Sequence, residues 1–205
     1  MGLPCLERAV SEVLPHQLPQ LKWEPTHNCG SRGGTPIRLV VVHRWGVRFT
    51  DEHAEARSYK GVIDYFKKPA SQVSAHIVYP GSAVPGEATQ MVPWHQKAWA
   101  EAYYNPDSVE VESADAIWLG HDPAGFHQLA HLVAYLLHHY HLPAHALTSS
   151  GIVHGSGFCR HGDLGSLGGG HTSCPTTDLH LWAAFGQLVK SEFHRGGFRH
   201  MWGRA

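Results

Sequence analysis

Residues 37–46 read IRLVVVHRWG. From Ile37 to Val42 the run is short, mostly apolar and β-branched, the pattern of a strand covered on both faces, and it stops at His43. A strand of that kind needs a layer of structure above and below it, which directs the reading of the rest of the chain toward helices packed on a sheet.

The segments on either side fit that scheme. Residues 1–36 are rich in Pro, with Gly and polar residues toward Thr35-Pro36, and read as a short helix and a loop leading into the domain. SYKGVIDYFKK (58–68) carries Val62, Ile63, Tyr65 and Phe66 at helical spacing and ends at Pro69. VSAHIVYPG (73–81) reads as a strand closed by Pro-Gly, with TQMVPW (89–94) as its hairpin partner. SVEVE (108–112) alternates strictly, so Ser108, Glu110 and Glu112 share one face and Val109 and Val111 the other. Asp122-Pro123 is a helix start, followed by Phe126, Leu129, Ala130, Val133, Leu136, Leu137 and Tyr140 on one face. A second helix runs from about Thr177, with Leu181, Trp182, Phe185, Leu188 and Val189 inward. The expected fold is a single α/β domain, a central mixed β-sheet flanked by helices on both faces. Residues 1–36 form an N-terminal extension packed on the domain, 37–195 the domain, and 196–205 a C-terminal tail.

Composition narrows the function. At 205 residues one core is the natural solution, and 42% hydrophobic with 16% charged residues describes a globular chain. A formal net charge of -1 leaves no global field for nucleic acid, so any anionic partner needs a local site. No stretch is apolar enough for membrane insertion, and residues 1–15 have neither a basic start nor a long apolar run, so no signal peptide is read and synthesis in the cytoplasm is expected. The four cysteines (5, 29, 159 and 174) contain no CxxC pair, which argues against a zinc finger.

Histidine is the outlier, with 19 in the chain. A catalytic zinc keeps three protein ligands and one open position. His43, at the end of a buried strand, is one candidate, and His161 and Cys174 are the others, in the glycine-rich stretch HGDLGSLGGGHTSCP (161–175). Taken singly, a His after a strand is more often a turn or core residue, and a lone Cys before Pro is more often packing. HHYHLPAH (138–145) reads instead as a solvated helix end, where cationic side chains suit the helix dipole. Glu110 and Glu112 are either an exposed acidic edge or, if their face meets a metal cleft, a source of a general base.

VVHRWG (41–46), VSAHIVYPG (73–81), VPWHQKAW (92–99), NPDSVEVE (105–112), and RHGDLG (160–165) with HTSCP (171–175) occur in that order and together resemble the type 2 N-acetylmuramoyl-L-alanine amidase family, which includes phage endolysins and peptidoglycan recognition proteins. The resemblance spans roughly residues 37–190 and is closest to endolysin amidase domains. It implies a zinc cleft at the strand ends with one Zn2+ held by His43, His161 and Cys174, with His154 the rival for the second ligand. It puts the catalytic Glu at Glu112, with Glu110 where the family usually has Gly, and the cleft-wall Trp-His at Trp94 and His95. Ala75 and Thr172 stand where some phage members have Tyr and Lys, so the oxyanion donor is Thr172 or His171, and His171 also faces substrate. The glycines of 165–170 would let the loop reverse between two ligands.

The implied activity is hydrolysis of the amide between N-acetylmuramic acid and L-alanine of the stem peptide, by a monomer whose partner is bacterial peptidoglycan, reached after release from the cell in the manner of holin-dependent endolysins. Two other readings stay open at this stage: a peptidoglycan-binding module without catalysis, and a glycosidase built on Glu110 and Glu112. The second is poor, because those residues sit side by side on one strand, about 7 Å apart along it, rather than flanking a sugar.

Overall fold

A computed structural model describes residues 18–46, 54–196 and 198. Eight strands occur among them: β1 Gln20–Trp23, β2 Cys29–Ser31, β3 Leu39–Arg44, β4 Ile77–Tyr79, β5 Glu87–Gln90, β6 Gln96–Ala98, β7 Ser108–Ser113 and β8 Gly157–Arg160. The α-helices are α1 Ala54–Lys67, α2 Asp115–Trp118, α3 Pro123–His139 and α4 Leu179–Arg195. Six strands form one mixed sheet in the order β1-β5-β4-β7-β3-β8, and β2 pairs with β6 in a separate ribbon. The one antiparallel step in the large sheet is β4 against β5, the hairpin expected from 73–94.

β3 lies between β7 and β8, so both its edges are paired and Leu39 to Val42 are wholly buried. This accounts for the continuous apolar run, since a strand without a solvent face gains from an apolar residue at every position. Register divides its side chains. Val40 and Val42 share a face with Val109 and Val111 of β7, and Phe158 of β8 joins them opposite Val40. On that side Phe158 meets Trp182 and Phe185 of α4, and Tyr79 donates to Gln128 of α3 at 2.8 Å. Leu39, Val41 and His43 share the opposite face with Ser108, Glu110 and Glu112. Toward β5 this second face is covered by α1, whose Tyr59 hydroxyl lies 2.6 Å from Thr89.

α3 starts where Asp122 caps it, accepting from the Gly125 N–H at 2.8 Å. The same carboxylate accepts from the Ser82 N–H and hydroxyl at 2.7 and 2.6 Å, tying the helix start to the turn after β4. α4 begins with an Asp178 cap on His180 and Leu181. His138, His139, His141 and His145 are all exposed, as a solvated helix end requires.

The N-terminal reading needs correction. The short helix expected at the very start falls on residues outside the described ones, but 18–36 is not simply a loop. Gln20–Trp23 joins the sheet edge parallel to β5, and Cys29–Ser31 pairs with β6. QLKW has no apolar alternation because β1 is an edge strand with three of its four residues exposed. Of the expected tail 196–205, Gly196 and Phe198 are described. No described helix is long and apolar enough to cross a membrane.

Phe185 sits among Trp118, Phe126, Phe158 and Trp182 and is fully buried. Phe185→Ala is expected to destabilise the fold by about 3–5 kcal/mol, read from the shift of a urea unfolding midpoint.

Candidate metal centre

The pairing of β3 with β7 places His43 directly beside Glu112, on one face and at the strand ends. β8 lies on the other side of β3, with Arg160 opposite Val42, so His161 emerges next to His43 and the two rings are 4.3 Å apart. Cys174 returns along a loop. Its carbonyl accepts from the Gly162 N–H at 2.8 Å, and its Sγ accepts from the Arg44 N–H at 3.4 Å. One ligand atom from each of His43, His161 and Cys174 lies within 4.8 Å of the others. Bonds of about 2.0–2.3 Å to a common tetrahedral cation imply separations of roughly 3.5 Å, so a small contraction completes the site.

The glycines make this approach possible. Gly165, Gly169 and Gly170 have φ of 62°, 94° and 79°, the left-handed region where a Cβ is disfavoured, and the loop turns there. Gly162 is constrained by space: a Cβ on it would lie 2.7 Å from the Thr172 carbonyl oxygen. Arg160 spans the base of the loop, donating to Asp163 at 3.0 Å and to the Thr176 carbonyl at 3.0 Å.

Hydrogen bonds select the free nitrogen of each imidazole. His43 Nε2 is 2.8 Å from Glu101 Oε1, and His161 Nε2 is 2.7 Å from the Gly168 carbonyl oxygen. A carbonyl can only accept, so His161 carries its hydrogen on Nε2 and presents the Nδ1 lone pair. His43 adopts the same tautomer when it donates to Glu101, with Nδ1 left toward Glu112 at 3.8 Å. An imidazole whose second nitrogen is engaged in this way is what a metal ligand needs.

Burial favours the uncharged form of each of these groups. It holds His43 well below the usual imidazole range, with His161 and His171 adding to the effect, and it lowers His161 too. Burial first, then the charge of Glu112, pushes the Cys174 thiol up to about 12. Burial alone raises Glu112 to about 8. Two neutral imidazoles are ready to coordinate, and a thiolate here needs a cation beside it. Two nitrogens and one sulfur form a donor set suited to zinc, so the residues fit the ion the sequence suggested.

The cleft above these atoms has a volume of about 350 Å³. His43, His161, His171, Cys174 and Glu112 line it, with Phe66, Val73 and Trp99 as apolar wall. Thr172 is exposed and does not line it. Nor do Trp94 and His95: the Trp94 ring stacks on His76 at 6.1 Å and meets Tyr140 at 6.4 Å, which directs it into the packing behind the cleft. The Trp at the wall is Trp99, five residues further on, and the sequence reading missed it along with Phe66 and Glu101. Trp99 lies within the same VPWHQKAW block as Trp94, and it is Trp99 that lines the cleft. His154 is exposed, whereas His161 is buried. Glu110 is wholly buried, bonded to His76 and Ser108, and does not line the cleft with Glu112, so the two carboxylates do not share a substrate.

A family model described as N-acetylmuramoyl-L-alanine amidase matches residues 33–177. The chain belongs to that family. Among solved structures, the Staphylococcus aureus hydrolase AmiA in complex with its ligand superposes with a TM-score of 0.58 at 16% identity, covering 86% of this chain and 84% of that one. A mutant endolysin from Bacillus subtilis gives 0.55 at 16% identity over 84% of this chain and 99% of that one. An AmpD derivative gives 0.53 at 22% identity over 85% and 97%. At these identities the likeness is one of fold, the single amidase domain with its mixed sheet and flanking helices. No curated protein sequence matches significantly.

Gly162→Ala should force the His161 and Cys174 segments apart and weaken zinc binding by about 10-fold or more, measured by competition with a chromophoric chelator.

Proposed function

We propose that the chain is a zinc-dependent peptidoglycan hydrolase that cleaves the amide between the lactyl group of N-acetylmuramic acid and L-alanine of the stem peptide. The carrying observation is the convergence of His43, His161 and Cys174 in one cleft with the partly buried carboxyl of Glu112 beside them. Membership of the amidase family supports the choice of bond. We further read the chain as the amidase domain of a phage endolysin, acting as a monomer on the wall after release from the cytoplasm; its likeness to an endolysin supports this.

His43, His161 and Cys174 would hold the zinc. When bound there, zinc supplies Lewis acidity toward the substrate carbonyl and toward a water molecule. Glu112 takes one proton of the attacking water and delivers it to the alanine nitrogen as the C–N bond breaks, and the second proton also passes to the amine, leaving a lactyl carboxylate and an alanine ammonium. Partial burial raises the proton affinity of Glu112, so its ionised form is a stronger base than an ordinary carboxylate. His171, which lines the cleft, is placed to donate to the oxygen on which charge develops, and it takes precedence over Thr172 in that role. Phe66, Val73 and Trp99 offer an apolar wall to the sugar and lactyl carbons, the contact the sequence had assigned to Trp94 and His95.

Digestion of purified wall should release free N-terminal alanine and no new reducing ends, and a chelator should abolish the release. Glu112→Ala is expected to keep its zinc and lose roughly 10²–10⁴-fold in rate. Near-normal alanine release by that variant would remove Glu112 from the mechanism, and wall binding without any release would leave a binding module only.

A further inference from the structure

Behind His43, on the side away from the cleft, runs a file of buried polar side chains that the chemistry above does not use. Glu101 Oε1 meets His43 Nε2 at 2.8 Å, and its other oxygen lies 3.0 Å from the Ser108 hydroxyl. Ser108 Oγ is also 2.7 Å from Glu110 Oε1. Glu110 Oε2 is hydrogen-bonded to His76 Nδ1, and His76 Nε2 lies 2.8 Å from Arg32 Nη2. Glu101, Ser108, Glu110 and His76 are 0% exposed and Arg32 7%.

Such a file is a poor way to stabilise a core. Carboxylates, an imidazole and a guanidinium each lose hydration on burial, and apolar residues of similar volume would often serve stability as well or better. What the file does achieve is geometric. Asn105 Oδ1 accepts from the backbone N–H groups of Ala100 and Glu101 at 3.0 and 2.6 Å, fixing the main chain that carries the carboxyl. Arg32 Nη1 donates to the carbonyls of Pro106 and Ser108 at 2.9 and 2.8 Å, fixing the far end. Between those anchors Glu101 is held against one ring nitrogen, that of His43.

We propose that Glu101 is a positioning residue for the metal centre, holding His43 in the orientation and tautomer that present Nδ1 to the cleft, and that Ser108, Glu110, His76 and Arg32 hold Glu101 in turn. The proposal rests on the zinc reading above. It gives Glu110 a role apart from the cleft, and it makes the segment before residue 37, through Arg32, a structural part of the metal centre.

The test is zinc affinity of the full chain, measured by chelator competition, with circular dichroism and thermal unfolding of the zinc-free protein alongside. Glu101→Leu should bind zinc about 10- to 100-fold more weakly than the wild type while the zinc-free melting temperature stays level or rises. Glu101→Gln keeps an acceptor oxygen and should recover most of the affinity. Affinity of Glu101→Leu within twofold of wild type, or of Glu101→Gln as weak as Glu101→Leu, overturns the proposal. If Glu101→Leu does not fold, Ser108→Ala carries the test: a several-fold weaker affinity is expected, and an unchanged one overturns it. A wild-type chain that binds no zinc would instead overturn the zinc reading on which all this rests.

Discussion

In the parallel pairing of β3 with β7, His43 stands opposite Glu112, and everything the cleft can do follows from that register. A slip of β3 by one residue would turn His43 into the layer under α3 and α4 and bring a valine to the cleft beside Glu112. The register is secured from both faces: Val40, Val42, Val109 and Val111 are fully buried under helices, and Glu110 is fixed on the other side through His76 and Ser108. Because β8 pairs with the other edge of β3, the same strand also delivers His161. Sheet hydrogen bonds thus place His43 and Glu112 and bring the chain at the end of β8 to His161, and the glycine loop holds His161 and brings Cys174.

That division of labour explains how a soft loop serves a site that needs precision. His43 and Glu112 come from β3 and β7, strands paired on both edges, where displacement would break ladder bonds on two sides. The third member arrives on a segment whose glycines accept left-handed turns and close approach, and a shared cation would complete its ordering. Burial meanwhile shifts the thiol and the carboxyl toward their protonated forms, which lessens the cost of negative charge at the site.

Much of this was legible in the residues. IRLVVV announced a strand covered on both faces because only such a strand is apolar throughout, and the long packing helix declared itself by its period and its Asp-Pro start. The segments that bring His43, His161 and Cys174 together were readable as motifs in family order. β1 and β2 were not, since edge strands in water need no apolar pattern and QLKW and CGS show none. Trp94 and Trp99 both lie in one aromatic block, and which of them reaches the cleft depends on the turn and ribbon between them, which no periodicity encodes. Glu101 carried no signal at all. An acidic residue in a loop between strands reads as solvated, and its burial follows only from long-range folding that brings it to His43, 58 positions earlier.

The central claim is three protein ligands on one zinc with a fourth position left to solvent or substrate. X-ray absorption at the zinc edge of the purified, zinc-loaded protein tests it most directly. The account predicts one sulfur at about 2.3 Å and three nitrogen or oxygen neighbours at about 2.0–2.1 Å, two of them imidazoles, with the sulfur lost in Cys174→Ser. A fourth ligand from the protein, or a first shell without sulfur, would contradict it.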